Sequence, residues 1–514
     1  MNNLKYILTL LLTSLVFTSF SQRVDPEEAA EHFKYGNFID ALVVYEKLME
    51  KDPKNPEYPF KAGFCVLHIN SDKSSKAVKY LESASERKSD PDVDFYLAKA
   101  YHYNLKLDEA IETMEKYKKS GTGLLQNQAD RELEMMKNAK KLVVSPIDIS
   151  FENVGELINS EYPDYYPFVT PDESTIYFTT RRKGVVGGMR EFDGYYSSDV
   201  FYSEVENGEF VKAKGVGMMV NSAYDEQVVG LSYNADLLFV YLDHIKDYGD
   251  IYTSKIVKGR PRKIEIMGEN VNSKEFESAA TISADGNTLF FASKRDGGLG
   301  GKDIWMTRKS PTGEWAEPQN LGSNINTPYD EDFPNLFYDG STLYFSSKGH
   351  NSMGGFDYFK STWNPETNEW SLAENIGFPL NTPEDNVCIS FTEDKRHAYI
   401  SAWRKDSYGD LDIYKVKFNE YDDRQTIIKS KIVKEGTEEV ITDAFIIVTN
   451  NRTQEEIGNY TPNAKNGSFI ITLIPGSYNV MIDAPGFAPK SEDILVKGKS
   501  DFEQFINKDF TVTP

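Results

Sequence analysis

Gly155-Glu-Leu-Ile-Asn159-Ser160 is the first of five copies of one hexapeptide, Gly-x-x-Φ-Asn-Ser/Thr, in which Φ is aliphatic. The other copies are Gly217-Met-Met-Val-Asn221-Ser222, Gly268-Glu-Asn-Val-Asn272-Ser273, Gly322-Ser-Asn-Ile-Asn326-Thr327 and Gly377-Phe-Pro-Leu-Asn381-Thr382. Their asparagines are 62, 51, 54 and 55 residues apart. A period of about 50 residues with strand-like sequence between copies is typical of small sheets repeated around an axis, so the pattern predicts a β-propeller.

Each unit carries the same order of features after its hexapeptide. A run rich in β-formers, such as Thr288-Leu-Phe-Phe-Ala-Ser293, precedes a Gly-rich loop and an Asp-Φ-aromatic triplet, such as Asp303-Ile-Trp305. A unit of this length supplies four short strands, which is one blade. Five copies predict five blades over residues 147–418, or six if a degenerate unit is hidden.

The segment before the first hexapeptide is predicted to close the ring. No sixth copy follows Asp412-Ile-Tyr414, so the fifth unit lacks its last strand. Ile147-Asp-Ile-Ser-Phe-Glu-Asn-Val154 has the character of that missing segment and no blade of its own. We expect it to complete blade five and leave no open edge.

Residues 22–146 predict a helical solenoid. Gly36-Asn37-Phe38 followed by Ala41 resembles the tetratricopeptide pattern, and equivalent alanines follow at Ala77 and Ala110, 36 and 33 residues later. The second repeat is irregular near residues 70–73, and a last amphipathic helix over about 124–142 would cap the stack. A structural spacer and a concave peptide-binding groove remain open as roles for this region.

Residues 424–514 predict a small all-β module, joined to the propeller by a polar linker at 419–423. Asn466-Gly467 is a hairpin turn signal between strand-like runs. Five to seven short strands in about 90 residues suggest a β-sandwich.

The beginning of the chain predicts export. Residues 1–21 read as a signal peptide, with Lys5, an apolar run and Ser19-Phe20-Ser21 before the cleavage point. The net charge of −23 argues against nucleic acid or anionic lipid as the main partner. The two cysteines, Cys65 and Cys388, fall in different predicted domains, which indicates buried free thiols rather than a disulfide.

Known catalytic patterns fit poorly. The string nearest to the serine hydrolase elbow is His350-Asn-Ser352-Met-Gly354, which lacks the first glycine and is followed by no α/β domain. The Gly-rich loops lack the spacing and the following helix of a phosphate-binding loop. We therefore predict a protein that is not an enzyme and uses no cofactor.

One acid and one base recur in most units. The acids stand five positions after the asparagine, with Asn386 in the fifth unit, and the bases follow the β-rich run. The candidate positions are Asp164, Glu226, Glu277, Glu331, Arg181, Arg182, Lys294, Arg295, Lys348 and Arg404. A ring of ion pairs between blades is the preferred interpretation, contact with a protein partner the second, and a calcium site around Asp330-Glu331-Asp332 the third.

Several stretches resemble known families. Asp285 to Trp305, with Asn320-Leu-Gly322, closely resembles the TolB-like propeller repeat, and residues 466–487 resemble the carboxypeptidase-regulatory-like domain. The domain order is similar to that of PorE-like, OmpA-family periplasmic proteins of Bacteroidetes, which serve type IX secretion. Such proteins usually continue into an OmpA-like domain that holds peptidoglycan, whereas this chain stops at Pro514 without it. The resemblance implies an outer-membrane barrel of the PorP/SprF type as partner, with peptidoglycan contacted only indirectly.

These observations together predict a periplasmic scaffold that acts in secretion or gliding and joins the outer membrane through partners. The rival hypothesis is a propeller that binds glycans or peptides for sensing or uptake. A deep central pocket ringed by exposed aromatic residues would favour the rival, and a flat charged face would favour the scaffold.

Overall fold

The computed structural model describes residues 25–69, 74–244, 247–419, 425–451, 456–497 and 503–514. The predicted signal peptide, the irregular stretch at 70–73 and nearly all of the predicted linker lie outside these ranges. The chain forms two compact units that meet between Lys417 and Phe418. None of the helices in the described ranges has the length and apolar character needed to cross a bilayer.

The first unit begins with helices that pack in consecutive pairs. The helices are α1 (Pro26–Lys34), α2 (Phe38–Lys51), α3 (Glu57–His68), α4 (Ser74–Glu86), α5 (Val93–Tyr103), α6 (Leu107–Ser120) and α7 (Ala129–Leu142). Ala41, Ala77 and Ala110, the alanines of the predicted repeats, are completely buried. Their small side chains allow neighbouring helices to approach closely, and Tyr45 and Tyr117 fill the space beside them.

The capping helix is shorter than predicted. It begins at Ala129, whereas the sequence pattern suggested a start near Leu124. Leu124 is 84% exposed, and the segment after it is held in a turn because Asp92 accepts hydrogen bonds from the Leu125 amide (3.2 Å) and from the Tyr117 hydroxyl. These side-chain bonds compete with a helical backbone over this stretch.

The strands of the repeat region form five sheets in the described residues, each an antiparallel meander. Sheet 1 contains β2 (Asp164–Val169), β3 (Thr175–Thr180), β4 (Asp199–Glu206), β5 (Glu209–Phe210) and β6 (Lys214–Gly215). Sheet 2 contains β7 (Asp225–Leu231), β8 (Leu237–His244), β9 (Asp247–Val257), β10 (Arg260–Pro261) and β11 (Glu265–Ile266). Sheet 3 contains β12 (Glu277–Ile282), β13 (Thr288–Ser293), β14 (Asp303–Arg308) and β15 (Gln319–Asn320). Sheet 4 contains β16 (Glu331–Leu336), β17 (Thr342–Ser347), β18 (Asp357–Asn364), β19 (Glu369–Trp370) and β20 (Glu374–Asn375).

Sheet 5 is completed from the other end of the repeat region. It contains β21 (Ser390–Phe391), β22 (His397–Ala402), β23 (Asp412–Phe418) and, as its outermost strand, β1 (Ile149–Asn153). The prediction that the segment before Gly155 closes the last unit is therefore confirmed. Asn153 also donates a hydrogen bond of 2.7 Å to Asp412, as Asn320 does to Asp303 within sheet 3.

Backbone hydrogen bonds are found at four of the five junctions between neighbouring sheets, at or shortly before the start of the innermost strand. The Glu226 amide donates to Ser198 O (3.0 Å), Glu331 to Lys302 O (2.8 Å) and Asn386 to Phe356 O (2.6 Å). The Asp164 amide donates to Leu411 O at 2.8 Å and joins the fifth sheet to the first. The sheets thus form a closed β-propeller.

The asparagine of each hexapeptide pairs with one residue of the third strand in the preceding sheet. Its Oδ1 accepts from a backbone N–H and its Nδ2 donates to the C=O of the same residue, at 2.7 to 3.0 Å. The pairs are Asn159 with Ile413, Asn221 with Val200, Asn272 with Ile251, Asn326 with Ile304 and Asn381 with Tyr358. The hexapeptide glycines allow this approach, since four of the five have positive φ, for example +109° at Gly377.

The second unit is a β-sandwich of nine strands in its described residues, more than the five to seven that the sequence suggested. One sheet contains β24 (Thr426–Lys434), β25 (Val440–Ile441), β28 (Ser468–Leu473), β31 (Phe505–Asn507) and β32 (Phe510–Val512). The other contains β26 (Phe445–Asn450), β27 (Glu456–Tyr460), β29 (Gly476–Asp483) and β30 (Lys490–Val496). Ile428, Phe469, Ile446 and Val480 from the two sheets share one core.

Two smaller expectations have opposite outcomes. The hairpin at Asn466-Gly467 was wrong, because β27 and β28 on either side of this turn belong to different sheets. The Gly467 amide donates to Asn463 O at 2.7 Å, which turns the chain from one sheet to the other. Cys65 and Cys388 are buried free thiols, as predicted.

Replacing Asn326 by Asp is expected to destabilise the propeller by about 2–4 kcal/mol. The carboxylate keeps an acceptor for the Ile304 amide but no longer donates to the Ile304 carbonyl, and it places a charge at a buried position. Urea unfolding followed by circular dichroism measures the loss. Asn368→Asp, at an exposed turn, is the matched control and should stay within about 0.5 kcal/mol. Equal stability of the two variants would contradict the role given to the hexapeptide asparagine.

Candidate functional site

The predicted acids and bases lie at one end of the propeller, which we call the upper face. It is the end at which the innermost strands β2, β7, β12, β16 and β21 begin, and the loops between second and third strands emerge there too. The hexapeptides cross this face from one sheet to the next. The helices of the first unit also pack against it.

The repeated acids bind the hexapeptide that precedes them. All four acids are completely buried. Each accepts hydrogen bonds from the backbone N–H and the hydroxyl of the hexapeptide Ser or Thr; at Glu331, for example, Thr327 donates from its N at 2.8 Å and from its Oγ1 at 2.6 Å. The other acids are Asp164 with Ser160, Glu226 with Ser222 and Glu277 with Ser273. In the fifth unit Asn386 accepts from the Thr382 amide at 2.6 Å, so a neutral side chain performs the same role.

Two of the predicted bases pair with these acids, although within a sheet rather than between sheets. Arg182 lies 2.5 Å from Asp164 and Arg295 lies 3.3 Å from Glu277. The expectation of ion pairs between blades was wrong for these two arginines, because the loop after the second strand returns each of them to the start of its own first strand. An ion pair between sheets 3 and 4 does form, but between Lys302 and Asp332. Arg295 and Arg182 nevertheless reach the hexapeptide, where they donate to Val271 O and Ile158 O at 2.5 and 2.6 Å.

The other four bases have separate environments. Arg181 binds Asp193 through both terminal nitrogens, at 2.6 and 3.1 Å. Lys348 lies 3.4 Å from Asp330, and the Arg404 guanidinium stacks on Phe151 of β1 at 3.6 Å from the ring centroid. Lys294 is exposed and lies 5.6 Å from the Phe276 ring centroid.

Burial changes the ionisation of several acids on this face. Desolvation raises the pKa of Glu331 to about 8 and that of Glu226 to about 7, against the hydrogen bonds from their Ser or Thr partners. Among the described residues, neither acid has a cationic partner such as the one that Arg182 provides to Asp164. Burial also raises the pKa of Asp164, with the Arg182 charge as the main opposing influence.

The acidic cluster around Glu331 does not converge on one point. Asp330 accepts the Lys302 amide at 3.0 Å, Glu331 binds Thr327, and Asp332 pairs with the Lys302 side chain. Among the described residues no group of three His, Cys, Asp or Glu side chains is placed to hold a metal ion.

The central channel is filled by side chains. The Tyr166 and Phe333 rings lie 4.4 Å apart, and Phe333 and Cys388 are buried. At the opposite end of the channel a cavity of about 20 Å³ remains beside Phe168 and Tyr338, room for about one water molecule.

Arg131 of α7 attaches the helices to sheet 4 and was missed by the sequence analysis. It donates to Gly349 O (2.9 Å), to Ser352 Oγ (2.6 Å) and to Lys348 O, and its guanidinium lies 4.6 Å from the Tyr329 ring centroid. Its side chain is only 11% exposed. Arg131 belongs to no repeated motif, so no sequence pattern singled it out. The available signal was its position next to Glu132 and Leu133, which are buried residues of an amphipathic helix.

The same contact area explains Ser352 and a buried histidine. Ser352 Oγ accepts from Arg131 and donates to Lys348 O at 3.2 Å, so the hydroxyl of the rejected hydrolase motif serves the helix contact. Met353 packs against Leu107 and Ala139. His102 beside it is 2% exposed, and burial followed by the Lys99 charge lowers its pKa to about 3.

A second attachment lies at sheet 1, where the loop before β4 reaches the first two helices. Phe192 stacks on Tyr35 with ring centroids 5.2 Å apart, and Arg190 lies 3.4 Å from Asp40. The helices therefore touch the upper face at two separated places, with sheets 1 and 4 as supports.

Comparison with known proteins gives distant structural likenesses only. No family model and no curated protein matches this chain. It is similar to TolB from Acinetobacter baumannii at 13% identity and a TM-score of 0.32, over 58% of this chain and 70% of that one. For a putative TolB from Agrobacterium tumefaciens the identity is 15% and the TM-score 0.27, over 52% of this chain and 97% of that one. For a putative 6-phosphogluconolactonase from Bacteroides uniformis the identity is 10% and the TM-score 0.27, over 65% of this chain and 85% of that one. These likenesses carry no argument about activity or partners.

Replacing Glu331 by Gln should remove a pH dependence of stability. Because the pKa of Glu331 is raised in the folded state, its contribution is complete below the unfolded value of about 4.5 and is lost as pH rises through about 8. The stability of Glu331→Gln relative to wild type should therefore increase between pH 5 and 9, by roughly 2–4 kcal/mol, since one pKa unit corresponds to about 1.4 kcal/mol. Thermal unfolding at several pH values measures this difference. Glu317→Gln, an exposed acid, controls for net charge, and a difference that stays flat with pH would refute the assignment.

Adjacent basic residues provide a test of the ion pairs. Arg295→Ala removes the cation and several hydrogen bonds from the buried Glu277, so we expect a loss of roughly 2–4 kcal/mol. Lys294→Ala changes an exposed side chain and should alter stability by less than about 0.5 kcal/mol. Denaturant unfolding compares the two variants. A loss in the lysine variant as large as in the arginine variant would contradict the structural role of this pair.

Proposed function

We propose that this protein is a non-enzymatic scaffold of the bacterial cell envelope, with a five-bladed propeller that carries a helical layer for protein binding. The observation that carries the proposal is an exposed apolar surface where this layer meets sheet 1. We call it the edge patch and define it as Tyr35, Ile39, Val43, Met189 and Phe192.

The edge patch is unusual in its exposure. Phe192 is 80% exposed, Met189 75% and Tyr35 45%. Ile39 and Val43, one helical turn apart on α2, are each more than 40% exposed. Clustered apolar side chains of this size in water favour association with another protein. Aromatic residues and methionine are also the types enriched at protein interfaces.

The support beneath the patch favours a binding role over a hinge. Arg131 and Met353 fix the far end of the helices to sheet 4, and Arg190 with Asp40 holds the near end. A partner that binds the patch therefore meets residues whose positions are set before binding, which reduces the entropy lost on association.

The rival hypothesis, a propeller that collects a ligand in its centre, lacks support from the channel. The cavity of about 20 Å³ is far smaller than the roughly 300–1,000 Å³ of small-molecule sites. The buried acids and arginines of the upper face bind one another or the hexapeptides, which leaves few of their polar atoms for a ligand.

The resemblance to PorE-like proteins supports the cellular setting of the proposal. The scaffold would act in the periplasm, in type IX secretion or gliding, and bind an outer-membrane barrel of the PorP/SprF type or another component of that machinery. Peptidoglycan would be contacted only through such partners.

Replacing both exposed residues of the sheet 1 loop should abolish partner capture. We expect Met189→Ala with Phe192→Ala to reduce co-purification of the partner at least tenfold without loss of stability, because both side chains are largely in water. Crosslinking in intact cells followed by mass spectrometry of captured envelope proteins provides the measurement.

Met218→Ala is the matched control, since Met218 is 86% exposed between sheets 1 and 2 and lies outside the patch. Capture should persist in this variant. If wild-type protein captures neither a membrane barrel nor a secretion component, the scaffold proposal fails; if the double variant captures as well as wild type, the edge patch is the wrong surface.

A further inference from the structure

A groove lies between sheets 3 and 4 of the propeller. Its volume is about 760 Å³, within the range of small-molecule sites. Met306, Gln319, Trp363 and Trp370 are among the residues that line it. The groove opens on the outer side of the two sheets, so it is separate from the closed channel and from the edge patch.

One cross-strand pair at the groove differs between the sheets, and in sheet 2 it is Thr253 opposite Glu265. In sheet 4 the corresponding pair is Lys360 opposite Glu374, an ion pair of 3.3 Å. In sheet 1 it is Tyr202 opposite Lys214, whose ammonium lies over the tyrosine ring at 4.8 Å. In sheet 3 it is Met306 opposite Gln319, without a charge on either side.

Sheet 4 supplies two tryptophans to the other wall. Trp363 is half-buried, whereas Trp370 is buried and packs against Phe290. Trp363 and Trp370 are cross-strand partners with ring centroids 5.4 Å apart. The chain has five tryptophans, so two of its five are placed at this single groove. The corresponding pairs in sheets 1 and 2 are Val205 with Phe210 and Ile256 with Pro261, which offer less aromatic surface.

The polar groups at the groove favour a ligand that is recognised by side chains. Exposed Arg308, Glu317 and Gln319 surround the aromatic wall with both signs of charge and an amide. The bordering backbone is already paired, since the Ala316 amide donates to Arg308 O at 2.9 Å and the Ala373 amide to Asn324 O at 3.0 Å. An extended peptide that adds a strand would find few backbone partners here.

We propose that this groove binds a neutral oligosaccharide. The half-buried Trp363 ring, supported by Trp370 beneath it, offers flat apolar surface to the C–H face of a sugar ring, and the side chains around it provide donors and acceptors for hydroxyl groups. One base, Arg308, and two acids, Glu317 and Glu369, line the groove, so its charge is mixed and no cluster of cations would select an anionic ligand. This site is independent of the protein-binding edge patch.

The test uses the full chain with hexasaccharides of glucose, mannose, xylose and N-acetylglucosamine, and with hexagalacturonate and an unstructured peptide as competitors. Titration calorimetry and tryptophan fluorescence are measured. We expect at least one neutral hexasaccharide to bind with a change in fluorescence, and the hexagalacturonate and the peptide to fail.

Two variants identify the groove as the site. Trp363→Ala should weaken binding at least tenfold. Met306→Lys with Gln319→Glu introduces the type of ion pair found in sheet 4 and should abolish binding while the protein stays folded. Lys255→Ala, at the position of sheet 2 that corresponds to Arg308, is the matched control and should bind as wild type does.

Several outcomes would overturn the proposal. They are the absence of binding by every neutral hexasaccharide at millimolar concentration, binding of only the acidic oligomer or the peptide, and binding that survives the double variant. Partner capture through the edge patch is measured separately, so failure here leaves the scaffold proposal standing and the reverse also holds.

Discussion

The pairing between a hexapeptide asparagine and the backbone N–H and C=O of one strand residue is the interaction on which the propeller depends. A carboxamide has a donor and an acceptor in one plane, as a peptide does, so it bonds the N–H and C=O of a strand residue without requiring another strand. At Asn326 the two bonds to Ile304 are 2.8 and 2.9 Å. The backbone N–H and C=O of the third strand are thereby hydrogen-bonded at the point where the fourth strand ends, and the chain can cross to the next sheet.

The Ser or Thr after each asparagine and the acid that follows extend this joint into the next sheet. The acid must be completely buried to reach the Ser or Thr amide, and burial disfavours its charge. Arg182 and Arg295 offset this cost in sheets 1 and 3. In sheet 4 the position of the arginine is taken by Gly349 and His350, whose ring bonds Ile325 O at 2.8 Å, and the pKa of Glu331 rises instead. One structural joint therefore exists as an acid paired with arginine, as an acid with a raised pKa and, at Asn386, as an amide.

The repeated features could be predicted from the sequence, because residues that recur with a fixed spacing are those that every sheet requires for its structure. The joint residues, the sheet order and even the closing strand before Gly155 follow from the hexapeptides and the missing last strand. The partners of the acids do not follow, because the spacing of Arg182 and Arg295 is equally consistent with a neighbour in the same sheet or in the next one. Arg131 and the groove were beyond prediction for a different reason: they depend on single residues and on how distant segments meet.

The distinction between repeated and single residues also indicates where binding sites occur in a repeat fold. Residues that every sheet needs are buried in the joints, as Glu331 and Arg295 are, and their atoms are used within the molecule. A partner or ligand is instead bound by residues that differ from the repeated pattern. The long loop that exposes Phe192 belongs to sheet 1, and the uncharged pair of Met306 and Gln319 belongs to sheet 3. Because neither departure contributes a joint, each can change without loss of the ring, so a protein surface and a saccharide groove can evolve independently on one scaffold.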